Sequence, residues 1–193
     1  MAIDTAKVLV GAPMQSGTTG AVQYADVGTD LPADARTAWA AGTSCGYVSE
    51  DGLTLTAEYS TVDIKDWSKN TVRTLLEEFT GEISFSFIQT DYEGLCVLFG
   101  EDHVHRTPAT SAAGETITID MGAHLAPART FVFNMKDGDA RMRVVVPNGQ
   151  PVLDGDLTFV ANEPIKWNVK IVCSVDGAGE RVYIHTDDGV VSA

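Results

Sequence analysis

Hydrophobic and polar residues alternate with a period of two along much of the chain, the pattern of strands with one buried face. The alternation is cleanest in Glu82-Ile83-Ser84-Phe85-Ser86-Phe87, which places Ile83, Phe85 and Phe87 on one side, and in Thr116-Ile117-Thr118-Ile119-Asp120. Further strands are expected at 52–59, 129–136, 140–146, 156–161, 165–174 and 181–186. Asp137-Gly138-Asp139 separates RTFVFNMK from ARMRVVV, and an Asp-Gly dipeptide favours the positive φ angles that a tight hairpin needs. The Gly-rich DGAGE stretch between 165–174 and 181–186 reads as the turn of a second hairpin. Strands at regular spacing with turn signals between them predict an all-β fold, a β-sandwich or barrel-like domain.

One segment departs from this period. After Asp91, an N-cap, the residues Tyr92, Leu95, Cys96 and Phe99 fall at i, i+3, i+4 and i+7, and Gly100 supplies a stop. The spacing predicts a short flanking α-helix near 91–99 that lays one face on the sheet. Residues 71–79, TVRTLLEEF, have a helical composition but run directly into the strand at 82–88, and are read as strand. Two long stretches, 13–42 and 101–114, carry no clear period. Structureless loops of that length are uncommon in a compact domain unless they bind something. The segment 60–70, STVDIKDWSKN, reads as a polar loop bearing Ile64 and Trp67, which makes it a contact candidate because interfaces are enriched in aromatics.

Length sets the scale: 193 residues suit one domain with a substantial core, here 1–193 with long loops or arms near 13–42, 56–70 and 101–114. No apolar run approaches the roughly 20 residues that span a bilayer, so no membrane anchor is expected. The amino-terminal stretch carries Asp4 where a signal peptide would be basic, and the chain is expected to be made and kept without secretion. Thirteen Lys and Arg against 27 Asp and Glu give a formal charge of −14, spread along the sequence rather than gathered in a tail. Such a surface repels polyanions and excludes tight, sequence-specific DNA binding. Cys45, Cys96 and Cys173 are widely spaced with no C-x-x-C pair, and read as buried free thiols.

Candidate chemistry is thin. Gly42-Thr43-Ser44-Cys45-Gly46 fits the G-x-S-x-G of a hydrolase nucleophile elbow, but that device needs a helix directly after the serine. Here Tyr47-Val48-Ser49-Glu50-Asp51-Gly52-Leu53-Thr54-Leu55 reads as strand, turn, strand, so Ser44 is read as structural. His103 and His105, beside Glu101 and Asp102, could present two imidazoles to a metal, yet no third ligand is visible and the stretch reads as a solvated loop. Asp137-Gly138-Asp139 and Asp154-Gly155-Asp156 lack the rest of a calcium loop and read as turns. No phosphate-cradling or dinucleotide glycine motif is present. The expectation is a protein that is not an enzyme and needs no cofactor.

Several stretches in order carry a resemblance. Gly46-Tyr47-Val48-Ser49-Glu50-Asp51-Gly52-Leu53-Thr54-Leu55, Val62-Asp63-Ile64-Lys65-Asp66-Trp67, Asn70-Thr71-Val72-Arg73-Thr74-Leu75, the alternating ISFSF, and Asp91-Tyr92-Glu93-Gly94-Leu95 followed by Leu98-Phe99-Gly100 resemble the major tail (tail tube) proteins of long-tailed actinobacterial phages. The similarity is closest over 46–100. It implies a structural virion protein of the viral tail, assembled as hexameric rings that stack into a hollow tube for DNA ejection. Six copies at −14 each give −84 per ring, suited to a bore that must let phosphates slide rather than bind. It also implies self-association, tape measure and terminator partners, synthesis in the host cytoplasm, and transient, non-specific passage of DNA. Trp39, Ile64 and Trp67 are the subunit-interface candidates. The rival readings are another ring component of the tail, such as a terminator or baseplate protein, and a carbohydrate-binding or adhesin-like β-sandwich.

Overall fold

A computed structural model describes residues 7–14 and 20–190; Asp4 and residues 15–19 of the patternless 13–42 stretch lie outside the described residues. The strands, in chain order, are β1 (Ala12–Pro13), β2 (Val22–Asp26), β3 (Thr43–Ser44), β4 (Thr54–Lys65), β5 (Thr71–Phe87), β6 (Val104–Thr107), β7 (Thr116–Ile119), β8 (Arg129–Asp137), β9 (Ala140–Leu153), β10 (Trp167–Cys173) and β11 (Tyr183–Asp187). Among the described residues a single α-helix, α1 (Tyr92–Phe99), follows β5, and Glu101–His103 form a 3-10 turn. The fold is all-β, as the alternation predicts.

Nine strands make one antiparallel sheet in the order β3-β2-β8-β9-β10-β5-β4, with β1 beside β8 and β11 beside β9. The sheet curls. Phe85 on β5 and Phe133 on β8 have ring centres 5.5 Å apart, although two strands lie between them, a path of about 14 Å across a flat sheet at roughly 4.8 Å per strand. Residues 43–49 then bring the two margins together. Thr43 and Ser44 pair with Tyr24 and Gln23 on β2, whereas Val48 bridges to Phe87 on β5, supported by bonds from Ser49 N to Ser86 O (2.8 Å) and from Ile88 N to Tyr47 O (3.0 Å). The result is a barrel-like body closed along this seam.

The seam explains the G-x-S-x-G pattern without chemistry. A Cβ on Gly42 would run into the Trp39 ring, and one on Gly46 would stand 2.7 Å from the Gln89 side chain. Both glycines are required by close approach.

The barrel interior is a single apolar cluster that includes Val22, Ile83, Phe85, Phe87, Phe131, Val146, Val169 and Ile171. Helix α1 stands where its sequence signals put it: Asp91 accepts from Gly94 N at 2.9 Å, and Gly100, at φ 82°, donates to Cys96 O at 2.9 Å. Its burial goes further than an amphipathic surface helix, since Gly94 to Phe99 are all buried. The β6–β7 ribbon, a separate two-stranded sheet, supplies Val104, Ile117 and Ile119 to the same cluster. The expectation of one covered face is therefore corrected; the helix is part of the core.

Three further expectations change. The pattern at 156–161 forms no strand, and Phe159 and Val160 are exposed; β9 and β10 already occupy each other's edges (Leu153 opposite Val169), so these residues span their connection with no edge to pair with. The second hairpin is also absent. β10 pairs with Gly149–Leu153 of β9, and β11 with Arg141–Val145 of the same strand, both antiparallel. They pair with successive lengths along one side of the continuous strand β9, and DGAGE bulges out between them. Finally, 60–65 are strand rather than polar loop, because β4 runs on to Lys65. Elsewhere, β2 emerges from the patternless 13–42 stretch and β6 from 101–114.

Candidate functional site

Strands β4 and β5 are much longer than the barrel needs. β5 has 17 residues, and only its second half, Gly81 to Phe87, pairs with β10. The first half pairs only with β4, from Glu58 opposite Thr80 out to Lys65 opposite Thr71. At about 3.3 Å per residue the twelve residues of β4 reach on the order of 36 Å. Every residue from Thr56 to Thr74 is exposed. This is a two-stranded arm standing off the body.

The sequence builds the arm locally. β-branched residues and threonines fill both strands, and side chains tie across: Thr74 donates to Asp63 at 2.6 Å, and Ser60 to Glu77 at 3.2 Å. The pairing shifts register between Ser60 and Thr61 and again between Ile64 and Lys65, bulges that increase local twist. The turn closes on Asp66, whose carboxylate accepts from Asn70 N at 2.8 Å; the bonds from Asn70 hold its pKa below the usual carboxylate range. Lys69 takes the left-handed position at φ 65°.

What the arm displays is unusual for a solvated ribbon. Tyr59 and Phe79 pair across the strands with ring centres 4.7 Å apart. The successive pairs Thr61–Leu76 and Val62–Leu75 must face opposite sides, since side chains alternate along a strand. Both faces are consequently part apolar, with Tyr59, Val62, Ile64, Val72 and Leu76 all exposed. Trp67, at the tip, has a relative exposure of 102%, so nothing in its own chain covers it. An isolated two-stranded hairpin is at best marginally stable in water, and an exposed apolar surface of this extent marks a contact site.

Of the interface candidates, Ile64 and Trp67 stand together on the outer arm. Trp39 does not. Its ring packs on Val132 and Val145 and its indole N–H donates to Asp30 O at 2.8 Å, making it a core residue of its own chain. Sequence reasoning missed Tyr59, Val62, Leu76 and Phe79. Tyr59, Leu76 and Phe79 lay in segments read as strand, 52–59 and 71–79, without being picked out as contact residues, and Val62 lay in 60–65, whose charged neighbours disguised it as loop.

The chemical candidates do not converge. Ser44 lies in β3, and the next helix begins only at Tyr92. His103 stacks on His124 with ring centres 3.4 Å apart, while His105 meets Asp120 at 3.0 Å, so the two histidines serve different partners. Among the described residues no three or more His, Cys, Asp or Glu gather as a metal site would require. All three cysteines are buried and free. Burial pushes the thiols of Cys96 and Cys173 up to about 11, and that of Cys45 well above its ordinary value, which keeps them protonated and unreactive.

Residues 1–188 match the family described as phage tail tube protein. The chain belongs to that family. No curated protein matches the sequence. Membership gives the chain a structural role in the tail tube and makes it a component of the virion tail, assembling with itself and with other tail proteins. Among the described residues no helix is long and apolar enough to cross a membrane.

Proposed function

We propose that this chain is the repeating subunit of the tube itself, forming hexameric rings that stack around an acidic bore through which DNA leaves the virion. The observation that carries the reading is the β4–β5 arm: a ribbon apolar on both faces, with no core of its own, is completed by neighbouring copies. A head-to-tail contact of this kind is heterologous and generates rings and filaments rather than closed pairs. The charge of −14 per copy supports the conduit, because phosphates passing a negative wall are repelled rather than held. Transient, non-specific passage of DNA follows, and no reaction is required of the wall. Terminator and tape measure proteins are the partners at the ends and inside the tube, and synthesis takes place in the host cytoplasm.

Negative-stain imaging of the purified protein tests the reading. Long tubes are expected; single rings would instead make the chain a terminator or baseplate ring component of the same tail. Trp67→Asp is expected to leave a folded monomer that forms no tubes. Normal tubes from that variant would remove the arm tip from the contact.

A further inference from the structure

Resting on the assembly reading above, we infer that the arm of one copy plugs into a specific socket at the base of the arm on another copy, with Trp67 as the plug. The socket is a cleft of about 240 Å³ lined by apolar side chains including Val22, Leu53, Phe85, Phe133 and Met135, with Glu50 at its rim. An apolar cavity of about 150 Å³ accepts a benzene ring, so this cleft is of the right order for an indole. A second depression shares Gly52 and Phe85 with it and adds Asp154 and Asp51, the latter paired with Lys166 at 2.9 Å, so the carboxylates left to meet a cation are those of Glu50 and Asp154. Glu58 and Glu78 lie further out, on the first rungs of the arm, where Glu58 faces Thr80 and Glu78 faces Ser60.

Charge selects the occupant. In a chain carrying −14, the outer arm holds Lys65, Lys69 and Arg73 against Asp63 and Asp66, three cations to two carboxylates and a local excess of +1. Among the described residues none of these three cations takes part in an ion pair, as is also true of Lys136, Arg141, Arg143 and Arg181. A cationic tip around a fully exposed indole therefore meets carboxylates at the rim of an apolar cleft that none of the described residues fills. Plug and socket lie at opposite ends of β4, so one copy cannot satisfy itself and each contact leaves a free plug and a free socket. That is the requirement for propagation. Trp and flanking cations at the centre of such a contact have the composition of an interface hot spot.

The test is a cysteine pair in the full-length chain, Ser68→Cys with Gly11→Cys, an exposed residue of the cleft lining, leaving Trp67, the tip cations and the rim carboxylates in place. Ser68 is exposed beside Trp67, and the native thiols are buried. Oxidation of assembled protein is expected to give a ladder of covalent multimers on non-reducing gels, while each single variant gives dimers at most. A ladder that stops at one size places the contact around a ring, and one that runs on places it along the axis; either supports the socket. Tubes without a ladder overturn the socket and leave the assembly reading standing. Failure of the unmodified protein to assemble overturns both. As a second measurement, Leu53→Asp should raise the concentration needed for tube growth on the order of tenfold or more, with an unchanged circular-dichroism spectrum; an unchanged assembly threshold would also overturn the socket.

Discussion

At the scale of single residues, buried polar groups fix the loops that the hydrophobic pattern leaves open. Arg143, 1% exposed, donates to Asn134 Oδ1 at 2.7 Å and to the carbonyls of Asp34 and Thr37 at 2.6 and 2.9 Å, pinning the 34–37 loop to the sheet. Arg143→Met should cost about 1–3 kcal/mol for the stranded buried partner, read as a lower midpoint in urea unfolding with an unchanged slope. The same loop is pH-sensitive. The Thr37 and Arg36 N–H groups and the Thr37 hydroxyl hold Asp34 down to about 2, and the Arg36 guanidinium with the Gly189 N–H holds Asp187 down to about 2. Folded values below the unfolded value of about 4 mean stability that is present above pH 4 and lost as pH falls through about 2. Asp187→Asn should melt below the unaltered chain at pH 7, and the gap should close near pH 2. Because both groups are exposed the gap is small, and salt narrows it.

At the scale of elements, the arm and the barrel are separable. Few buried contacts hold the arm outside β4–β5 pairing, and such elements open locally at little cost. Replacing 59–79 with a short turn should leave the melting temperature nearly unchanged while abolishing self-assembly. Hydrogen exchange on the intact chain should show arm amides exchanging fast in the monomer and protected in the assembled state. The strands of the body were legible because one face of each is apolar: ISFSF, TITI and RTFVFNMK read correctly, and so did α1 with its caps at Asp91 and Gly100. The arm was legible only in part: 52–59 and 71–79 read as strand and 56–70 as a loop or arm, but the strand at 60–65 was missed, since a ribbon exposed on both sides carries no consistent inside and outside. β2 was missed because five residues, Val22–Asp26, offer too few periods among Gly, Ala and Thr.

At the scale of the whole molecule, −14 per copy opposes any assembly, so short-range contacts must overcome a repulsion that acts over the screening length. That length falls from about 30 Å at 0.01 M salt to about 8 Å at 0.15 M. The concentration required for tube growth should therefore fall across this range, followed by light scattering or sedimentation. A rise would mean that the cation–carboxylate contacts of the arm tip outweigh the general repulsion.

The sequence by itself determined the all-β class, the capped helix, the hairpin at Gly138, the buried free thiols and the acidic balance, because each follows from local spacing or composition. Only the tertiary structure decided which edges meet. The closing of the barrel by residues 43–49, the sharing of β9 between β10 and β11, the absence of a strand at 156–161 and the projection of the arm are all questions of pairing. A strand's partner is chosen by the free backbone edges left in the rest of the fold, and one segment's alternation, which reports only what faces inward, holds no record of them.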